Sequence, residues 1–288
     1  MCGIIGFTGR KPAKNILIDG LERLEYRGYD SAGIALLNDD DTLTIRKKAG
    51  RVSELRELCK DGEYSSTCGI GHTRWATHGG VTDANAHPHR CGNVALIHNG
   101  IIENYSDIIR EYGLADKLVS ETDSEVVAAL LDTLYEGDPI TAIRKAVKII
   151  AGSFALCIMF ADRPGIIYAV RNVSPMVAAH SEEGSIIASD LTAIISFSKD
   201  YFVVPEYHIL TMTEGGIKVE DLKGNEVRPQ MLEITWDITA AQKGGFPHFM
   251  LKEIYEQPES LRNTITPRIV NSLPDFTEDG IDDEVFKN

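Results

Sequence analysis

Nothing in this chain is built to enter a membrane. Its longest apolar run, Phe154 to Ala161, falls far short of the roughly 20 residues that a spanning helix needs. The leading segment MCGIIGFTGRKPAKN sets its basic residues after the apolar ones, the reverse of a secretory signal. Positive charge is also scarce. Lys and Arg number 29 against 43 Asp and Glu, a net charge of −14. Phosphate backbones are bound by clustered Lys and Arg, so nucleic acid is not an expected partner. The five cysteines are odd in number and form no CxxC pair. That pattern excludes a disulfide framework and favours reduced thiols in the cytoplasm. Cys59 and Cys157 fall in apolar periodic segments and read as inert core. No repeat or low-complexity segment is present. Six acidic residues between Asp275 and Glu284 read as a solvated C-terminal segment.

What is present is an ordinary globular composition, 43% hydrophobic and 25% charged over 288 residues. Gly3 to Thr8 reads as a buried strand, followed by a helical stripe at Ile16, Leu17, Leu21 and Leu24. Ala32–Leu37 and Thr42–Lys47 flank the acidic turn NDDD as a hairpin. Val52 to Leu58 suggests a short helix, and Val94 to His98 a strand that ends at Asn99-Gly100. Thr122 and Glu125 match a capping box ahead of Val126, Val127, Leu130, Leu131 and Leu134. A further helix opens at Asp138-Pro139. From Ser153 to Glu220 short β-rich runs follow one another. Strands at both ends with helices grouped between them predict an α+β layered fold rather than a doubly wound sheet. A boundary is expected near residue 240, where KGGFP precedes the polar helical stretch KEIYEQPESLRN. The segment after it reads as the start of a further part of the protein.

Four places carry chemistry. The first is Cys2, whose small side chain permits removal of Met1 and so leaves a thiol and a free α-amine on one residue. The amine titrates at about 7.7–8.0 and a free thiol at about 8.5, so the amine can take the thiol proton without a histidine. The strand GIIGF behind it would hold the residue rigidly. The second is GHTRWATHGG: Arg74 offers a fork for a carboxylate, Trp75 a shield, and Thr77 and His78 further donors. Taken alone, that stretch reads as a surface loop with a salt-bridged Arg. The third is HNGIIEN, where Asn99 and Gly100 form either a turn or a side-chain and backbone donor pair for an oxyanion. The fourth is ETDSE, where Asp123 either caps a helix or binds an ammonium. Five histidines lie between His72 and His98, but no zinc-type spacing appears and the cluster reads as loop scaffolding rather than a metal site.

Taken together, CGIIGF, LEYRGYDSAG, GHTRWATHGG, NAHPH, HNGIIEN and SETDSE, in this order, resemble the class II glutamine amidotransferase domain. The form with HTRWATHG is most similar to that of the glucosamine-6-phosphate synthase (glutamine–fructose-6-phosphate aminotransferase) family. The likeness spans roughly residues 2–240 and continues into KEIYEQP.

The resemblance implies an N-terminal nucleophile (Ntn) hydrolase fold, a four-layer α/β/β/α sandwich with two antiparallel sheets. It implies a glutaminase domain over residues 2–240, with 241–288 as linker and the truncated start of the sugar-isomerase part. L-Glutamine would be the substrate and fructose 6-phosphate the acceptor of the full-length enzyme, which also leaves room for a homodimer. No cofactor or metal is implied.

Roles follow residue by residue. Cys2 would be nucleophile and base, Asn99 and Gly100 the oxyanion hole. Arg74 would bind the α-carboxylate and Asp123 the α-ammonium. Trp75, Thr77 and His78 would belong to a closing loop, Arg27 would steady the terminus, and His87 would lie near a domain interface. The chain is then expected to release glutamate and ammonia without itself making the amino sugar. Two alternatives remain: a class II domain that serves another acceptor, and a non-catalytic glutamine- or metal-binding module.

Overall fold

Along Gly3–Gly9 (β1), Ile4 points to one side and Ile5 and Phe7 to the other, and every residue of the strand is buried. A strand apolar on both faces needs cover on both, and this requirement sets the layers. The computed structural model describes residues 2–38, 40–76, 79–235, 245–270 and 272–281. Thr77, His78 and Met1 lie outside them. Two compact units are present, Met1–Thr235 and Trp236–Asn288.

In the first unit, β1 is followed by α1 (Ala13–Leu24), β2 (Ser31–Leu37), β3 (Leu43–Ala49), α2 (Val52–Leu58), β4 (Cys68–Arg74), β5 (His89–Cys91) and β6 (Val94–Ile102). Next come α3 (Tyr105–Tyr112), α4 (Asp123–Leu134), α5 (Pro139–Ile149), β7 (Gly152–Phe160), β8 (Ile167–Asn172), β9 (Val177–Ser181) and β10 (Gly184–Ala188). The short α6 (Leu191–Ile194), β11 (Asp200–Val203), β12 (His208–Thr213), β13 (Gly216–Asp221) and β14 (Leu232–Glu233) complete it. The strands form two antiparallel sheets, ordered β14-β11-β9-β10-β1-β4-β2-β3 and β13-β12-β8-β7-β6-β5.

Three apolar slabs define the layering. Ile5, Phe7 and Ile34 of the first sheet pack against Leu17 and Leu21 of α1 and Leu55 of α2. Ile4, Ala35 and Ile70 meet Ala95, Ile97, Ala155 and Cys157 between the sheets. On the far side, Leu96, Phe154 and Leu156 pack against Val127, Leu130 and Leu131 of α4 and Ile143 of α5. Helix, sheet, sheet, helix is the result, the α+β class the element order predicts. The inner faces mix small residues, Ala95 and Ala155 among them, with larger ones such as Ile4, Ile70 and Met159, which interdigitate between the two sheets.

Two local readings change. β6 does not stop at His98; Asn99 and Gly100 stay in register with Ala155 and Phe154 of β7, and the strand runs to Ile102. The pairing available from β7 overrides the turn preference of Asn-Gly. At α4, the Thr122 hydroxyl caps the helix by accepting from the Glu125 N–H at 3.3 Å. The Glu125 carboxylate does not return to the capping residue's own N–H. It accepts from the N–H groups of Val119 (3.1 Å) and Ser120 (2.6 Å) instead.

The second unit holds α7 (Phe249–Ile265), which includes Pro258, and a short hairpin of β15 (Ile269–Val270) and β16 (Leu273–Pro274). Among the described residues no helix is long and apolar enough to cross a membrane.

Candidate active site

In the first sheet β1 lies between β4 and β10, and its antiparallel register sets Gly3 opposite Thr73. The start of β1 is thereby brought beside the end of β4, and Cys2 beside Trp75. A side chain at Gly3 would place its Cβ 2.6 Å from Thr73 Oγ1 and 2.8 Å from Leu24 Cβ, so only glycine allows so close an approach. The Trp75 N–H donates to Cys2 Sγ at 3.1 Å, and the thiol reaches the Trp75 carbonyl at 3.5 Å. Asp30 holds the backbone on either side of Trp75. Its N–H donates to the Arg74 carbonyl at 2.7 Å, and its carboxylate accepts from the Ala76 N–H. Burial pushes the Cys2 thiol above its ordinary range, and the Trp75 N–H partly offsets this.

Polar residues from both sheets converge behind the sulfur. On β4, Cys68 and Ile70 face the other sheet, and by the two-residue period so does His72. On β6, Ala95 and Ile97 do the same, followed by Asn99. The Asn99 Nδ2 donates to the Cys2 carbonyl at 3.1 Å. His72 Nε2 lies 2.9 Å from Asn99 Oδ1 and 3.0 Å from the His98 carbonyl.

Cys2 sits where two hollows meet. One is lined by Cys2, Arg74, Trp75, His87, His98, Gly100, Thr122, Asp123 and Ser124. Its neighbour shares Cys2, Trp75 and Gly100 and adds Arg27, Asn99, Ile101, Ser153, Ser174 and Pro175. Arg74 is only 4% exposed and donates to the Gly80 carbonyl at 3.1 Å. Since Thr122 does the capping, the Asp123 carboxylate is left to accept from the Ile102 N–H at 2.8 Å at the wall of the first hollow. Arg27 faces the second hollow, where it pairs with Asp190 and donates to the Tyr26 hydroxyl at 3.2 Å. Trp75 is 54% exposed at the mouth. Asp30, Thr122, Ser124 and His72 are site neighbours that the motif reading passed over. For His72 a signal existed, a polar side chain at an inner-face position of a strand.

Four histidines form a buried cluster in this wall. His72 and His87 stack at a 33° tilt with ring centres 4.1 Å apart, and His87 meets His89 edge to face at 4.5 Å. His89 Nε2 meets the Thr122 hydroxyl at 3.0 Å, and His98 Nδ1 meets that of Ser124 at 2.9 Å. Lys47 pins the loop that carries His87, donating to the carbonyls of Ala84 (3.0 Å) and Ala86 (2.8 Å). Among the described residues, no group of three or more His, Cys, Asp or Glu is arranged to hold a metal ion.

Burial holds all four imidazoles below their ordinary value of 6.5, His72 at about 3. The unfolded chain therefore binds more protons than the folded one below about pH 6.5. These groups leave stability untouched at higher pH and erode it as pH falls below about 6.5, in the case of His72 down to about 3. Each contributes up to about 1.4 kcal/mol per pH unit within its window. Urea unfolding midpoints are expected to fall steeply between pH 7 and pH 5, above the carboxylate range. A flat profile there would show that the cluster is hydrated or charged when folded.

The fold and this cysteine-centred site define a class. Residues 72–196 match the profile of the glutamine amidotransferase domain, and the two-sheet sandwich is the fold of Ntn-hydrolase amidotransferases. Its particular likeness is to the glutamine–fructose-6-phosphate aminotransferases (isomerizing). It is 43% identical over 279 residues to that of Clostridium acetobutylicum, covering 95% of this chain and 45% of the relative. It is 44% identical over 272 residues to that of Thermus thermophilus, covering 93% and 45%. The chain thus spans less than half the length of these curated relatives. Among solved structures, a glutamine phosphoribosylpyrophosphate amidotransferase from B. subtilis superposes with a TM-score of 0.66 at 24% identity, covering 78% of this chain and 50% of that one. At that identity the likeness is one of fold.

Proposed function

We propose that this chain hydrolyses L-glutamine to glutamate and ammonia, with Cys2 as nucleophile once Met1 has been removed. One observation carries the reading: the Cys2 sulfur borders a hollow whose wall also holds a buried cation, Arg74, and a buried carboxylate, Asp123. A free amino acid presents the complementary pair, an α-carboxylate and an α-ammonium, at a fixed distance from its side-chain amide.

The chemistry is acyl transfer. The thiol gives its proton to the α-amine of the same residue as sulfur attacks the γ-amide carbon. Negative charge grows on the amide oxygen, toward the Asn99 side-chain amide and Gly100. The C–N bond breaks as the ammonium of Cys2 protonates the departing nitrogen, releasing ammonia and a γ-glutamyl thioester. Water, deprotonated by the same amine, then frees glutamate. Trp75, with Thr77 and His78 beyond it, would close over the bound amino acid, and Arg27 would steady the terminus from the second hollow.

In the longer protein we propose that the ammonia aminates fructose 6-phosphate. Residues 2–240 would do the hydrolysis and 241–288 would lead into the acceptor part. The names of the relatives and the form HTRWATHGG support this acceptor over a phosphoribosyl one. Amide-labelled glutamine given to the full-length gene product with each acceptor in turn decides the point by where the label appears. A glutamine-analogue electrophile is expected to label one residue, Cys2, in protein whose intact mass lacks Met1. Labelling elsewhere, or full activity with Met1 retained, would overturn the mechanism.

Arg74→Ala is expected to raise KM for glutamine by about 10- to 100-fold, the loss of a charge-assisted hydrogen-bond pair. A γ-amide lacking the α-carboxylate should be hydrolysed almost as before. Equal losses on both substrates would remove Arg74 from its assigned role.

A further inference from the structure

Resting on the glutaminase reading above, we infer that His72 is a positioning residue that sets the orientation of the Asn99 amide and so aims its N–H bonds at the reacting carbonyl. The geometry leaves one consistent arrangement. His72 Nε2 lies 3.0 Å from the His98 carbonyl oxygen, which can only accept, so Nε2 carries the proton. The same Nε2 lies 2.9 Å from the Asn99 side chain, and the atom facing a donor must be the amide oxygen. The Asn99 Nδ2 then points the other way, onto the Cys2 carbonyl at 3.1 Å. Turning the amide over would set donor against donor at His72 and acceptor against acceptor at Cys2, both in buried surroundings where unmatched polar atoms are costly. An Asn side chain has no intrinsic preference between its two faces, and the fixed imidazole supplies one.

The surroundings keep that imidazole in a single state. His72 is 1% exposed, its ring stacks on His87 at 4.1 Å, and its Nδ1 has no hydrogen-bond partner, as suits an unprotonated nitrogen. Burial disfavours a second proton and pushes the His72 pKa down to about 3, so the ring is neutral near pH 7. No water need enter to complete its hydrogen bonding at Nε2. His72 itself is absent from the lining of both hollows around Cys2, so it acts through Asn99 and not on the substrate.

The test compares side chains that differ in whether they present a donor where Nε2 now lies. A glutamine side chain carries its amide nitrogen to about that place, an asparagine stops at the level of Nδ1, and phenylalanine fills the ring space without a donor. His72→Phe and His72→Asn are expected to lower kcat for glutamine about 10- to 100-fold with KM changed by less than about 3-fold, since an oxyanion donor acts in the transition state. His72→Gln should recover most of the loss. Alkylation of Cys2 by iodoacetamide, which forms no oxyanion, should proceed at nearly the parent rate in all three.

In an Asn99→Ala background the His72 substitutions should cost little more, because the side chain they orient is gone. If His72→Phe does not fold, the Gln and Asn variants still separate donor from no donor. The inference is overturned if kcat is unchanged in the folded donorless variants, if Gln is no better than Asn, or if the losses multiply with Asn99→Ala. A parent chain in which Cys2→Ala leaves hydrolysis intact would instead refute the glutaminase reading, a result read before any His72 variant is made.

Discussion

Cys2→Ala is expected to lower glutamine hydrolysis by about 10⁴-fold or more while leaving glutamine binding nearly intact. Nucleophile and base belong to one residue, and removing the nucleophile of such a unit costs almost as much as removing the unit. Alanine is as small as cysteine for Met1 removal, so the variant keeps its free α-amine and isolates the sulfur. Among the described residues the sulfur's hydrogen bonds are with the Trp75 N–H at 3.1 Å and carbonyl at 3.5 Å. Calorimetric binding of glutamine by the variant should match the parent within about 3-fold, because recognition is assigned to Arg74 and Asp123 through charge-assisted hydrogen bonds. Acetylating the α-amine of the parent protein is the complementary experiment. Sulfur is retained and base is lost, and activity should again collapse. Glutamate release that survives either change would point to another nucleophile.

Gly100→Ala is expected to be nearly as damaging, for a different reason. Gly100 has φ +132°, outside the range of L side chains, and an added Cβ would lie 2.0 Å from the Ser153 carbonyl oxygen and 3.0 Å from His98 Nε2. The backbone strain alone costs about 1–3 kcal/mol. The clash is with main chain of the paired strand β7, so β6 must move away from it, carrying Asn99 with it. A displaced oxyanion donor costs about 10²- to 10³-fold in kcat. Gly113→Ala is the control: φ there is +62° with open space around the added atom. It should lose about 1 kcal/mol of stability and no activity. Circular dichroism melts with steady-state kinetics separate the two effects. Parent-like kcat in folded Gly100→Ala would place the oxyanion elsewhere.

Much of the layered fold was legible because burial repeats with the period of the backbone. The unbroken apolar run of β1 and the helical stripe of Leu17 and Leu21 each name a surface that must be covered, and these residues lie in the slabs. β6 was read too short because Asn99-Gly100 is a turn by local preference, while its nine-residue pairing with β7 is a property of the assembled sheet. Asp123 shows the same divide. Helix capping and ligand binding are indistinguishable from one residue, and they separate only when the neighbouring hydroxyl of Thr122 is seen to take the cap.

Sequence alone determined the apolar stripes of α1 and α4, the starts of α2, α4 and α5, and that a thiol sits immediately before a buried strand, since these depend on contacts a few residues apart. It could not determine that the end of β4 meets β6 across the gap between two sheets, bringing His72 to Asn99 and Asn99 to Cys2. That meeting depends on the stacking of two sheets whose strands are far apart in the chain. Sheet stacking is set by the summed packing of many inner-face residues, and no single motif carries it.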